Sequence, residues 1–277
     1  TCINDMYFLT ENIIKAAVES GIRLQTTYTL MGYDENDTVR FEKLSNLLEK
    51  YKYHTISFNA GIHGLYTSNE NYVKKCVEFA KKKELPIHMH FCENIKERED
   101  IKREYNVEEP SEVIKRTFEG IHNILAHCVK ISEKDIENLK ETNTYISHCP
   151  VSNLKLGCGV APVAKMIENG LNVSLGTDGQ GSGSNLDMFE TMKYAALLQK
   201  GINEDPKEME AYEVIKMATV NGAKALNLKN IGKIEEESIA DLIIINMDEA
   251  ITNPINNIFA EIVYNVKGTN GDTTIVN

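Results

Sequence analysis

Short apolar runs alternate with amphipathic stretches from the start of the chain to about residue 200, and this alternation strongly restricts the fold. The apolar runs predict strands at 22–30, 54–60, 86–91, 123–128, 144–148 and 171–176. The amphipathic stretches predict helices near 12–20, 38–51, 69–83, 110–119, 132–142, 161–169, 187–200 and 208–219. Strands and helices that alternate in this way build a parallel sheet from βα units.

The residues at the ends of these runs distinguish between two possible architectures. Chain order alone fits both an open doubly wound sheet and a closed barrel, because both use right-handed crossovers. Nearly every run ends in, or is followed by, a residue that can do chemistry, namely His63, His90, Glu93, His127, His148 and Asp178. In a (β/α)8 barrel such strand ends converge on one face, where the active site lies. The sequence therefore predicts an α/β fold, a TIM-type barrel.

Residues 229–277 differ from the rest of the chain. Their short β-rich runs are separated by Asn, Pro and Gly, which is typical of a small β-sheet. We therefore expect a barrel over residues 1–228 and a small β-rich C-terminal appendage over 229–277, as part of a small β-sandwich domain.

Composition argues against several classes of protein. The 277 residues are 42% hydrophobic and 26% charged, as in a soluble globular enzyme. A formal net charge of -11 argues against nucleic acid as a partner. No apolar run approaches the roughly 20 residues that cross a bilayer, and the first residues do not resemble a signal peptide, so we expect a cytoplasmic protein without a membrane partner. The six cysteines lack CxxC spacing, which predicts reduced thiols.

The strongest local motif is IHMHFCEN, residues 87–94. Alternation along a strand places His88 and His90 on the same face, and Glu93 follows just beyond the strand. Neutral imidazole is a common metal ligand, and the carboxylate can reach the same cavity without binding the metal. A strand with buried structural histidines explains this segment equally well.

A second motif, SLGTDGQGSGSN at residues 174–185, runs from an apolar strand into Asp178. Asp178 is aimed at the strand-end cavity, where it could bind a metal and accept a proton from water. The flanking glycines allow close backbone approach. An ordinary turn aspartate is the alternative.

His127 and His148 each end a β-run, and either one alone would be read as a structural histidine. Chemistry becomes the better interpretation because several such residues occur in order on different strand ends. His54 and His122 are expected to face solvent.

These segments resemble the branch of the amidohydrolase superfamily that holds methylthioadenosine/S-adenosylhomocysteine deaminases and chlorohydrolases. The resemblance covers essentially the whole chain, and its most specific part is the stretch from 146 to 199. Its segments are NDMYF, GIHGLYTSN, HMHFCEN, ILAHC, ISHCPVSNLKLGCGVAPVAKMIENGLNVSLGTDG, NLDMFETMKYAALLQ, ATVNGAKALNL and IGKIEEESIADLII.

The resemblance implies roles for individual residues. His90 and Asp178 would be metal ligands, with Asp178 also the base, and Glu93 would be the proton shuttle beside the substrate. His127 would lie beside the hydrolytic water. His63 would line the substrate pocket. Ser152 and Asn153 belong to a matching segment without an assigned role, and the remaining implied substrate contacts are His148 and Arg40.

The resemblance also implies a function. We expect one divalent metal, zinc or alternatively iron, and a small heterocyclic substrate, with a homo-oligomer left open. The reaction would be deamination of adenosine, methylthioadenosine or S-adenosylhomocysteine, although Tyr28 stands where an arginine for a substrate carboxylate is expected. The alternatives are a chlorohydrolase or another heterocycle deaminase of the same branch, and a non-catalytic ligand-binding barrel.

One expected feature is absent from the sequence. Members of this branch open the barrel with a strand that ends in HxH, and no such motif precedes NDMYF. We therefore expect a fragment with an incomplete barrel that lacks its first strand, and an inactive one as it stands.

Overall fold

The computed structural model describes residues 1–34, 36 and 38–277. Its parallel strands are β1 Cys2–Asn4, β2 Arg23–Thr26, β3 Ile56–Phe58, β4 Ala60–Gly64, β5 Ile87–Phe91, β6 Asn123–His127, β7 Thr144–His148 and β8 Asn172–Leu175. They pair in chain order, first β1-β2-β3 and then β4-β5-β6-β7-β8. The six predicted strands are confirmed, whereas β1 and most of β4 were missed because each adds only a few residues.

The two groups of strands are joined at Asn59, which separates β3 from β4. The Asn59 N–H donates to Thr26 O at 3.0 Å, and Leu30 N–H donates to Gly61 O at 2.7 Å. Hydrogen bonds therefore follow the segment after β2 onto β4, so β3 and β4 act as one bent strand. Within the described residues β1 pairs only with β2, and β8 only with β7, so the barrel-type sheet is open.

Helices cover the outside of this sheet. They are α1 Thr10–Ser20, α2 Val39–Lys50, α3 Glu70–Lys83, α4 Ile95–Tyr105, α5 Ser111–Thr117, α6 Glu133–Lys140, α7 Pro150–Lys155, α8 Val163–Glu168, α9 Gln180–Gly183, α10 Met188–Asn203, α11 Ala211–Ala218 and α12 Val220–Ala225. All the predicted helices are confirmed, while α4 and the short α7, α9 and α12 were missed. In the part of the chain that the structure describes, none of the helices is long and apolar enough to cross a membrane.

The core lies between the sheet and the helices. Ile62, Met89, Leu125, Ile146 and Val173 are direct cross-strand neighbours and form one buried apolar row from β4 to β8. Side chains alternate between the two faces of a strand, so the residues before and after each member of this row face the barrel interior. The apolar row therefore identifies the opposite, interior face of the sheet as the one that presents polar side chains to the barrel interior.

The C-terminal residues contain β9 Leu242–Ile245, α13 Ile258–Tyr264 and β10 Gly271–Ile275. β9 and β10 form an antiparallel pair, which confirms a small β-sheet there. The helix α13 was not predicted, and it packs against α10 and α11 with Val263 fully buried. By packing, α13 belongs with the outer helices of the barrel, and a division into domains at residue 228 remains a proposal.

Candidate active site

His88 and His90 lie on the interior face of β5, because they flank Met89 of the apolar row. The His90 Nδ1 atom is 2.6 Å from the backbone oxygen of His63. A carbonyl oxygen only accepts, so Nδ1 carries the proton and the neutral ring keeps a bare Nε2. This is the arrangement that orients histidines for metal binding in proteins.

His127 reaches the same cluster because the backbone turns sharply at the end of β6. Its φ of 74° lies in the left-handed region, and the Cys128 N–H donates back to Ala126 O at 3.1 Å. This is a strained γ-turn, and such strain is concentrated at functional sites. The His127 ring stacks on His90 with centroids 5.6 Å apart, and its Nδ1 lies 2.9 Å from Asn153 Oδ1.

Glu93 lies beside His127, with its Oε1 atom 3.9 Å from His127 Nδ1. The same oxygen is 3.8 Å from the Cys158 thiol, which approaches from the loop between α7 and α8. Cys92, just before Glu93, has a left-handed φ of 49°. Strand β5 therefore ends in a tight turn that points the chain back toward the histidines.

Asp178 follows β8 and also has a left-handed backbone, with a φ of 60°. Its Oδ2 accepts a hydrogen bond from Ser152 Oγ at 2.5 Å, and its Oδ1 accepts one from the Gly179 N–H at 2.6 Å. The predicted close approach is confirmed at Gly176, where a Cβ atom would lie 2.8 Å from Ser147 Oγ. The carboxylate is thus held by a side chain of α7 and by the backbone that follows it.

The structure shows hydrogen bonds for Ser152 and Asn153 of α7, to which the sequence assigned no role. Ser152 holds Asp178, and the next residue, Asn153, holds His127. Both side chains are buried. One turn of helix therefore orients two residues of the cluster at once.

His63 completes the cluster from β4, with its ring centroid 5.1 Å from that of His90. The Thr67 hydroxyl donates to Gly64 O and lies 3.0 Å from His63 Nδ1, so its oxygen accepts a hydrogen bond from the Nδ1–H group. The neutral His63 ring then offers Nε2 as a hydrogen-bond acceptor. Tyr66 packs edge-on against it at 5.6 Å.

Burial keeps the histidines of the interior neutral. Desolvation lowers the pKa of His63 to about 4 and that of His88 to about 3, with a further contribution from His90. The pKa of His90 is lowered as well, first by burial and then by His127. Neutral imidazoles are the protonation state that binds metals.

Glu97, on α4, was missed by the sequence reasoning. Its two carboxylate oxygens accept hydrogen bonds from the N–H groups of Cys92 and Glu93, each at 2.8 Å. Burial raises the pKa of Glu97 to about 7, although these two bonds oppose the rise. Its signal in the sequence is the pattern NxxE that begins at Asn94, a helix N-terminal motif.

Two predicted substrate contacts lie outside the cluster. His148 follows the apolar Ile146 by two residues, so alternation places it on the helix-facing side, and it is 1% exposed. Arg40, on α2, donates to Thr29 O at 3.0 Å and lies over the Tyr28 ring.

The expectation that His54 and His122 face solvent is half right. His54 is exposed. His122 is half-buried, with its Nε2 2.7 Å from Ala225 O and its ring stacked on Tyr145, so the expectation was wrong for it.

The cluster offers the types of donor atom that a divalent metal binds, but fewer of them than a catalytic metal site generally has. His90 and Asp178 offer the neutral imidazole and the carboxylate that zinc and iron accept. Catalytic zinc generally has about three protein ligands. Over residues 1–34, 36 and 38–277, no group of three His, Cys, Asp or Glu side chains is placed to hold a metal ion.

Histidines and carboxylates gathered at the C-terminal strand ends of a parallel barrel sheet define the active-site face of a barrel enzyme. The chain belongs to the amidohydrolase family, whose model matches residues 1–277. It is 39% identical over 284 aligned residues to a 5'-deoxyadenosine deaminase of Methanocaldococcus jannaschii, covering 99% of this chain and 67% of that protein. It is 37% identical over 281 residues to a 5-methylthioadenosine/S-adenosylhomocysteine deaminase of Moorella thermoacetica, covering 100% of this chain and 66% of that protein.

A solved structure shows the same architecture. The chain is similar to a zinc-bound adenosine deaminase from Xanthomonas campestris, with a TM-score of 0.93 and 26% sequence identity. The match covers 100% of this chain and 64% of that one. The chain thus spans about two thirds of the length of the relatives it matches.

Proposed function

We propose that the protein takes part in hydrolytic deamination of adenine nucleosides whose 5' position is deoxygenated or carries a thioether. The observation that carries this proposal is the contact of Glu93 with His127, which stacks on His90 at the strand ends. The names of the two curated relatives support the substrate class.

His90 and Asp178 are the proposed ligands of one divalent metal, with zinc as the first choice and iron as the alternative. The zinc in the related adenosine deaminase structure supports this choice. When bound, such a metal would lower the pKa of a coordinated water to about 7.

The side chains of this chain then move the protons. Asp178 accepts a proton from the attacking water, and Glu93 delivers a proton to the ring nitrogen next to the attacked carbon. The oxygen of the water bonds to that carbon, the exocyclic C–N bond breaks, and ammonia leaves with the proton that Asp178 accepted, while the second proton of the water replaces the one that Glu93 gave. His127, oriented by its hydrogen bond with Asn153, would lie beside the water. His63 presents its Nε2 as an acceptor to a hydroxyl or N–H of the substrate.

Arg40 and His148 remain proposed substrate contacts, and within the described part of the chain neither forms a hydrogen bond with a residue of the cluster.

The proposal is tested with the whole enzyme, loaded with zinc, on 5'-deoxyadenosine, methylthioadenosine, guanine and a chlorotriazine. Ammonia release from the two adenine nucleosides, slowed by about 10² to 10⁴ in a Glu93→Gln control, is the expected result. Ammonia from guanine alone, or chloride from the triazine alone, would establish the alternative reactions of the same family. Absence of both turnover and bound metal would favour a non-catalytic barrel.

A further inference from the structure

Glu97 makes an unusual contact at the start of α4. The Glu97 N–H donates to the side chain of Asn94, the residue that caps this helix, at 2.9 Å. The Glu97 side chain then reaches back beyond the cap and accepts from the N–H groups of Glu93 and Cys92, one on each oxygen. It is 3% exposed, so these bonds are shielded from water.

The backbone that Glu97 holds is the turn from which Glu93 projects. Cys92 adopts a left-handed φ of 49°, a backbone conformation that is strained for a residue other than glycine. On the other side of the turn, Cys92 O accepts a hydrogen bond from the Lys130 N–H at 2.8 Å. The turn is therefore fixed between Glu97 on its N–H side and the loop after β6 on its carbonyl side.

We propose that Glu97 is a positioning residue for the reaction, which acts by holding the Cys92–Glu93 turn so that the Glu93 carboxylate stays beside His127. The inference rests on the proposed function of Glu93 as the proton carrier. Glu97 itself touches neither substrate nor reacting atoms.

The chemistry of the contact requires a carboxylate. The two N–H donors need two acceptor oxygens, and the carboxyl group of Glu97 supplies both. A glutamine in its place offers one carbonyl oxygen and turns an NH₂ group toward the other N–H, which leaves a buried donor unpaired. A displacement of about 1 Å at a catalytic group can cost about 100-fold in rate.

The test is a double-mutant cycle on kcat with the whole metal-loaded enzyme. Glu97→Gln is expected to lower kcat by about 100-fold with a smaller change in KM. In a Glu93→Gln background the same substitution is expected to cause no further loss, because residues that act through one another are not additive. Glu99→Gln serves as the matched control, since its side chain is 57% exposed on the same helix.

Unchanged kcat in Glu97→Gln, or an equal loss of kcat in both backgrounds, would overturn the inference. Hydrogen exchange at the Cys92 and Glu93 amides provides a readout besides activity, and it should accelerate in Glu97→Gln but not in Glu99→Gln. If Glu97→Gln does not fold, Glu97→Asp retains the charge on a shorter stem and should show the same pattern with a smaller loss. An active wild-type enzyme with an unaffected Glu97→Gln variant contradicts this inference alone, whereas a wild-type enzyme without deaminase activity contradicts the proposed function.

Discussion

Glu93 is the residue whose loss should separate catalysis from metal binding. In Glu93→Gln we expect kcat to fall by about 10² to 10⁴, because a positioned proton carrier contributes roughly that factor. The metal content should stay at the wild-type level, since His90 and Asp178 are untouched. Steady-state kinetics and metal analysis of the purified enzyme measure both. Loss of metal along with activity would instead make Glu93 a ligand.

Ser152 offers a second test at the scale of one residue. Ser152→Ala removes the hydrogen bond to Asp178 Oδ2, and the loss of such a partner of a ligand typically costs about 10- to 100-fold in metal affinity or activity. Competition with a chelator measures the affinity. Ser20→Ala, which removes an unrelated serine contact on α1, should leave the affinity unchanged. Equal affinities for the two variants would contradict the role of Ser152.

The residues of the cluster at the strand ends were easier to predict than the residues that hold them. His63, His90, Glu93 and Asp178 could be predicted because each lies at or just beyond the end of an apolar run, on the side of the barrel opening. Asn153 could be located in a motif, but its contact with His127 depends on the left-handed turn at His127, which no local pattern reveals.

Among the elements, α4 was missed because its buried face is largely polar. Ile101 and Tyr105 are its buried apolar residues, and Arg98 fills the remaining space by pairing with Asp135 at 2.5 Å. An amphipathic pattern is therefore too weak to predict this helix. The strands that carry the apolar row were predicted, in contrast, because a strand buried on both faces is a nearly continuous run of hydrophobic residues in the sequence.

The link between the small sheet and the barrel gives a prediction for stability. Arg23 at the start of β2 pairs with Asp241, just before β9, through side chains that are 8% and 1% exposed. Asp241→Asn leaves a buried guanidinium without its counter-charge, so we expect the free energy of unfolding to fall by about 3–5 kcal/mol. Denaturant unfolding followed by circular dichroism measures this change.

The control for that experiment is an ion pair in solvent. Glu137, paired with Lys134 on α6, has a side chain that is 62% exposed. Glu137→Gln should change the free energy of unfolding by no more than about 1 kcal/mol. A similar small effect for Asp241→Asn would mean that β9 is not anchored through Arg23.

At the scale of the whole molecule, the open sheet edge bears on pairing with other chains, and the buried histidines bear on the pH dependence of stability. The outer edge of β8 is partly covered, because the Asn221 side chain donates to Val173 O at 3.0 Å. A covered edge limits pairing with other chains. The interior behind it holds several neutral imidazoles, and their protonation couples global stability to pH.

His148 makes the sharpest case for acid sensitivity. It is 1% exposed, and neither of its ring nitrogens has a hydrogen-bond partner among the described residues. Burial lowers its pKa from 6.5 to about 3, with a further contribution from His127. Between these values the unfolded chain binds one more proton than the folded chain. Its contribution to the free energy of unfolding is therefore complete above pH 6.5 and is lost as the pH falls, by about 1.4 kcal/mol per pH unit.

Replacement of His148 by leucine should remove the contribution of His148 to the pH dependence of the free energy of unfolding. Glu97 works in the opposite direction, because its pKa is raised to about 7 and the folded chain holds its proton more tightly, but this contribution is common to both proteins and cancels in the difference. We expect the free energy of unfolding, measured with denaturant, to fall more steeply between pH 6 and pH 4 in the wild type than in His148→Leu. The two slopes should differ by about 1.4 kcal/mol per pH unit. His54→Leu, at an exposed site, should parallel the wild type. If the His148→Leu curve also ran parallel to the wild type, His148 would already be protonated in the folded chain, and its burial as a neutral ring would be disproved.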